Sequence, residues 1–528
     1  MDWNVVLPLN ELPPGSMKAR QGLLLIHHDD GKLYATENAC PHQGYPLSQG
    51  SLTGCLLTCT WHNFKFDIRD GKCVMGEESL RTHPIRVRDG MIEVQRDRSV
   101  DLSATWASLD QGLRRAQVAR SSREVARLLL AGVPPARLLV HAVCWDTNHG
   151  EYGVGHSGAL AADLLGWMAL PPTGMGADEH RVQLVGEVME LAARTVLGLP
   201  ERARPPAEAP GEGAAEELAR RVEAEDAVGA EALLRGMIQA GWDFPRLEAA
   251  IYPILAEHFL DFGHPYIYLG KYRELIEAAG WEWADPLLGG MIFGVSNGTR
   301  EELLPPWASF RSRWKKFAEA GGPERALAAR IQGRGGVSDD LVAAVAHGSP
   351  GDCFSALSEA LLAGRWEEAM DSLVEAGAQR LWRFDPAHDA DPNVEEGWLD
   401  VTHRFTVPQA LRGIDQRWRH AAMTKIILLV GHFINIGKAL DRTEAPIAVP
   451  VDLEQLRERV LAGRSTRGIF FAHDVKTLVA ATRVGSPSAL QAVHHYLSHR
   501  TQERPTRKAA VEALRLVRDG KPPHGLSG

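Results

Sequence analysis

The chain has 528 residues, of which 45% are hydrophobic and 24% charged, ordinary values for a globular protein long enough for two to four domains. A formal charge of −9, with no basic face in view, argues against nucleic-acid or anionic-membrane partners. Six cysteines are too few for a disulfide scaffold, and the start has no basic n-region followed by an apolar h-region, so a cytoplasmic, reducing home is expected. The most apolar run, residues 426–430, is too short to span a bilayer.

Residues 1–97 read as β structure. Short apolar runs at 22–26, 33–35, 56–58, 64–66, 85–87 and 91–94 are separated by turn signals, and Asp30-Gly31, Asp70-Gly71 and Asp89-Gly90 suit tight hairpins. From about residue 103, Ala, Leu, Glu and Arg dominate and apolar residues recur at helical spacing. Ser121 with Glu124 makes a capping-box pattern, and Gly132 closes the helix that follows. Residues 199–215, rich in Pro, Ala and Glu, read as a flexible linker or exposed loop.

The expected architecture is therefore an α+β multidomain chain. A small all-β domain at 1–97 precedes a large all-α region with helical subdomains at 98–200, 216–383 and 397–520. That region carries a faint internal repeat. Ala131-Gly132 leads through an apolar helix to Gly155-His156, Ala240-Gly241 leads likewise to Gly263-His264, and Ala363-Gly364 opens a weaker third copy toward Thr402-His403.

The sharpest motif is Cys40-Pro-His42-Gln-Gly with Cys59-Thr-Trp-His62, sixteen residues separating His42 from Cys59. Two short loops each offer one soft and one borderline ligand. A Cys₂His₂ zinc site uses the same residue types, although zinc loops prefer two to four residues between ligands and Cys40 and His42 have one between them. The pattern closely resembles the Rieske family over residues 1–97. That resemblance implies a [2Fe–2S] cluster, with Cys40 and Cys59 on one iron and His42 and His62 on the other. High-potential Rieske proteins resemble this chain but carry an extra, disulfide-paired cysteine in each loop, where Tyr45 and Trp61 stand here. They also tend to place a hydroxyl residue where this chain has Phe64, so the resemblance implies a potential low in the Rieske range. Cys55, Cys73, Cys144 and Cys353 have no ligand spacing and read as small apolar residues.

A cluster that carries electrons needs an acceptor. Rieske oxygenases use a mononuclear iron held by two histidines and a carboxylate. The nearest match, Asp146-x-x-His149 with His156, is too widely spaced and lies in helical sequence. Instead, His156, His264, His403, His432 and His473 recur just before apolar helices, and Asp261/His264 and Asp400/His403 share an Asp-x-x-His spacing that suits a metal ligand or an orienting pair. Each histidine alone is also explained as a helix cap or a buried polar pair. Around His264 the run from Glu257 to Tyr268, with His258, Asp261 and Tyr266, is the densest polar-aromatic cluster of the helical region. The candidate catalytic set is His264, Asp261, His156, His403 and His473, with Tyr266 or Tyr268 lining a pocket. Gly263-His264-Pro265 and its apolar helix faintly resemble questin-oxidase-like proteins, which implies oxygenation.

Two readings follow. In the first, an external NAD(P)H-dependent reductase or ferredoxin reductase feeds the cluster, since no Gly-x-Gly-x-x-Gly fingerprint follows a strand. Electrons then pass to a second, non-haem iron in the helical region of a mono- or dioxygenase acting on a small organic molecule. In the second, the chain is a redox sensor or electron carrier with a protein-binding helical scaffold and no second metal.

Overall fold

Strand β3 (Leu23–His27) shows how the N-terminal part is built. Its residues alternate between two cores, Leu23 and Leu25 packing into one and Leu24 and Ile26 into the other, as a period of two dictates. The computed structural model describes residues 3–76, 78–96, 101–331, 335–463, 467–502 and 505–520. The chain divides into two compact units, Met1–Val133 and Pro134–Gly528.

In the first unit the other strands are β1 (Trp3–Pro8), β2 (Ser16–Arg20), β4 (Leu33–Glu37), β5 (Ser51–Thr53), β6 (Leu56–Thr58), β7 (Lys65–Asp67), β8 (Cys73–Met75), β9 (Thr82–His83), β10 (Ile85–Arg88) and β11 (Met91–Gln95). They form three antiparallel sheets, ordered β1-β11-β10, β2-β3-β4-β9 and β5-β6-β7-β8. The three Asp-Gly dipeptides join β3 to β4, β7 to β8 and β10 to β11. Asp89 and Gly90 both take positive φ, as a tight two-residue hairpin requires.

Two helices complete this unit, α1 (Leu102–Arg114) and α2 (Val118–Leu130). The 97/98 boundary expected from sequence lies outside the described residues, and the compact division comes only after Val133. Ser121 and Glu124 do not form a capping box. Both lie inside α2, where Glu124 is buried and accepts from Ser108 at 3.2 Å. Gly132 does close the helix, in the left-handed conformation.

The second unit is helical. Residues 199–215 are not a free linker. The Arg202 amide donates to the Asn148 carbonyl at 2.7 Å, the Arg202 guanidinium grips buried Glu231, and Arg204 reaches Asp285 at 2.6 Å. Composition reads as linker here because two arginines anchor a strap that is otherwise mostly Pro, Ala, Glu and Gly. Met423–Leu440 is long and apolar enough to cross a membrane by length and composition, which the short run at 426–430 did not suggest, and 67% of it is buried as in a core helix.

The repeat has a structural counterpart. Gly132, Gly241 and Gly364 each take positive φ just beyond a helix, and each precedes another helix (Pro135–His149, Phe244–Glu257 and Trp366–Arg383). In the first two copies the chain then reaches a histidine that opens a helix, His156–Leu165 or His264–Ala279. In the third, His403 sits inside helix Trp398–Arg417.

Candidate metal centres

The first centre lies on two loops, one after β4 and one between β6 and β7. Each is closed on itself by its backbone: the Cys40 amide donates to the Tyr45 carbonyl at 2.8 Å and the Cys59 amide to the Phe64 carbonyl at 2.8 Å. Cys40 and Cys59 point into the core, whereas His42 is half-buried and His62 exposed. The two imidazoles face each other with Nδ1 atoms 3.0 Å apart. Burial, with Cys59 adjacent, pushes the Cys40 thiol up to about 11, so a cation is what would make that sulfur a thiolate at neutral pH. Two buried sulfurs on one side and two ring nitrogens on the other fit a two-iron cluster with unlike ends. Tyr45 and Trp61 stack with centroids 5.6 Å apart, bracing the two loops, and Phe64 stacks on His42 at 4.6 Å. On α2, Arg123 pairs with Glu78 at 2.7 Å and donates to the His42 carbonyl at 3.1 Å.

The second centre lies within the helical unit. His156, His264, His403 and His473 each present a ring nitrogen, and these atoms lie within 4.8 Å of one another. Four helices carry them: His156–Leu165, His264–Ala279, Trp398–Arg417 and Gly468–Val484. Each packs on the next in a closed ring. Around it the ring centroids are 4.8 Å apart for His156 and His264, 4.4 Å for His264 and His403, 5.1 Å for His403 and His473, and 5.0 Å for His473 and His156.

Inside their helices, His403 and His473 tie Nδ1 to the carbonyl four residues back, Leu399 at 2.7 Å and Ile469 at 2.8 Å. That fixes the proton on Nδ1 and leaves the lone pair on Nε2, the usual preparation of a metal-binding imidazole. Nε2 of His473 is buried with no hydrogen-bond partner among the described residues, an orphan that a cation would satisfy. Burial holds all four rings far below the ordinary histidine range, His156 at about 3, so all four are neutral donors. Tyr268 stacks on His264 at 5.1 Å and closes the cage on that side.

Asp261 is not brought into the ligand set. Its Oδ1 accepts the Thr299 amide at 2.9 Å, and its carboxylate is not among the converging donor atoms. Asp400 accepts the Gly397 amide at the start of its helix. Tyr266 turns its hydroxyl to the Leu255 carbonyl. His149 stacks on Trp145, and His432 faces the Pro306 carbonyl. Of the histidines expected just before helices, His403, His432 and His473 lie within them, on their buried faces. Lys476, not singled out from sequence, is buried with Nζ 2.8 Å from His403 Nε2, and burial lowers it to about 7. Its spacing of three from His473 was the available signal, because that spacing puts both on one helix face.

The sequence model of the family described as "Rieske [2Fe-2S] domain" matches residues 2–84. The chain is similar to the biphenyl dioxygenase ferredoxin subunit of Pseudomonas sp. (strain KKS102), with 31% identity over 110 residues covering 18% of this chain and 95% of that one. It is also similar to the p-cumate 2,3-dioxygenase system ferredoxin component of Pseudomonas putida, 42% identical over 74 residues covering 13% of this chain and 63% of that one. Similarity to the 4beta-methylsterol monooxygenase of Methylococcus capsulatus (strain ATCC 33009 / NCIMB 11132 / Bath) is 32% over 105 residues, or 17% of this chain, and spans 28% of that protein's length. Among solved structures, a complex of reduced oxygenase and oxidized ferredoxin in carbazole 1,9a-dioxygenase matches with TM-score 0.18 and 24% identity, covering 19% of this chain and 97% of that one. Each of these matches takes in less than a quarter of the chain.

Proposed function

Because residues 2–84 belong to the Rieske [2Fe–2S] family, we propose that this chain is the oxygenating partner of an external reductase. In this reading electrons from the reductase enter the cluster and reach a metal held by His156, His264, His403 and His473, for oxygenation of a small organic substrate. The observation that carries the reading is the convergence of four neutral imidazoles, two buried and two half-buried, in a chain that also carries a one-electron relay.

Cys40, His42, Cys59 and His62 would hold the cluster, and the more exposed histidine end is where an electron would enter or leave. A redox metal in the helical cage, iron by the precedent of non-haem oxygenases, would supply the place where dioxygen takes up those electrons. Zinc fits imidazoles equally well but has no redox chemistry, so it would leave the relay without an acceptor. The protein's own part is to hold four lone pairs on one point, keep them unprotonated by burial, and exclude bulk water from them.

The ferredoxin components among the similar proteins favour a second reading, in which the chain only ferries electrons to another enzyme. Iron, other transition metals and acid-labile sulfide per chain, measured on anaerobically purified protein, decide between them. Two sulfides with three irons support the oxygenase. Two sulfides with two irons, and no other transition metal, leave the carrier.

A further inference from the structure

The geometry points to Glu301 and Glu302 as positioning residues that aim His264 into the four-histidine cage, an inference resting on the reading of that cage as a metal site. His403 and His473 are steadied by carbonyls of their own helices. His264 cannot use that device, because it is the first residue of its helix and has no helical carbonyl four residues behind it. Its ring is aimed instead by the backbone that leads into the helix. The direction of that backbone is set by an unusual run, since Asp261, Phe262 and Gly263 all take positive φ, at 45°, 55° and 81°. Two of the three carry side chains and resist this conformation, so the surroundings must impose it.

The tandem acids impose it. Glu301 Oε1 accepts the Phe262 amide, and Glu302 Oε2 accepts the Phe259 amide at 2.9 Å. The Glu301 amide donates back to the Phe259 carbonyl at 2.9 Å, and the Asp261 amide to the Thr299 carbonyl at 3.2 Å. The other oxygen of Glu302 holds His258 Nδ1 at 2.6 Å. Both glutamates are buried, so no water replaces their bonds to the run. Gly263 leaves no slack behind it, since a Cβ there would meet Val407 at 2.8 Å. The strap that carries His264 is thus clipped on one side by acids and backed on the other by the His403 helix.

The test uses full-length protein with the cluster oxidised and the helical site reloaded with Cu(II), whose EPR signal counts bound nitrogens. Wild type should show a nitrogen-rich signal. Glu301→Ala and Glu302→Ala should each weaken Cu(II) binding about tenfold or more and lose one nitrogen. Glu301→Gln, which keeps the acceptor oxygen, should stay close to wild type. Helix content and cluster absorption report folding. If Glu301→Ala does not fold, Glu302→Ala and Glu301→Gln carry the decision. Alanine variants that bind Cu(II) as wild type does, or a folded Glu301→Gln that loses a nitrogen, overturn the clamp. A wild type with no nitrogen-rich signal overturns the metal-site reading itself, and the clamp with it.

Discussion

His264 and His403 face each other with Nε2 atoms 2.9 Å apart. Because the His403 ring is committed through Nδ1 to the Leu399 carbonyl, its Nε2 carries the lone pair, and since Lys476 Nζ also lies 2.8 Å from that atom, a metal between the two rings would displace the lysine's hydrogen bond. His403→Ala should remove the second metal and abolish reductase-driven oxygen consumption while leaving the cluster's visible spectrum unchanged. Metal analysis and an oxygen electrode check this. Full activity in the variant would remove His403 from the site.

His156 is placed by a tight seam. Asp146 is buried and holds the Ser157 hydroxyl, and the Gly155 backbone runs so close that a Cβ would meet Asp146 Oδ2 at 2.4 Å. Gly155→Ala should therefore push the start of helix His156–Leu165 outward. We expect a loss of about 1–3 kcal/mol in stability, from overpacking, and weaker metal retention on dialysis against a chelator. Denaturant melts and metal content after dialysis measure the two effects.

Acid should loosen the β domain through Glu37. The hydrogen bond from His83, with Arg96 beside it, holds this carboxyl at about 2 even though burial opposes the shift. A depressed carboxyl stabilises the fold fully above its unfolded value and loses that contribution as pH falls from about 4.5 toward 2. With 33% of the side chain open to water, the contribution is discounted to about 1–2 kcal/mol. Glu37→Gln should be less stable than wild type at pH 7, with the gap closing at low pH. Melting temperatures across that range test the sign.

The cluster potential should fall in the lower half of the span of about −150 to +300 mV covered by Rieske centres, because no hydroxyl stands at Phe64. Phe64→Ser offers the sulfurs a donor and should raise the midpoint in a spectroelectrochemical titration. An unchanged midpoint would mean that the aromatic face on His42, not the missing donor, sets the potential.

The cluster loops could be read from sequence because their chemistry is local. Cys40 with His42, and Cys59 with His62, sit within a turn of one another, and Asp-Gly pairs frame the strands around them. The cage was legible only as a set of candidates. The sequence offers His156, His264, His403 and His473, but their convergence depends on how four helices pack, which no spacing encodes. Asp261 had the right spacing for the wrong reason: its carboxylate braces Thr299, and its backbone begins the turn that leads into the His264 helix. Glu301 and Glu302 went unnoticed because their partners are backbone amides some forty residues earlier in the chain. Lys476 went unnoticed although its spacing of three from His473 puts it on the face that counts.

The order in which the four-histidine cage draws its ligands from the chain bears on how the protein matures. His156 opens the second helix of its unit and His473 belongs to helix Gly468–Val484, so the cage cannot close on a ribosome until nearly the whole chain has been synthesised. The two loops of the β domain are finished by residue 62 and can receive iron and sulfide long before. In the proposed reading, the order of synthesis would let the relay fill before the terminal centre, and a chain cut short of His473 would hold a cluster without its acceptor.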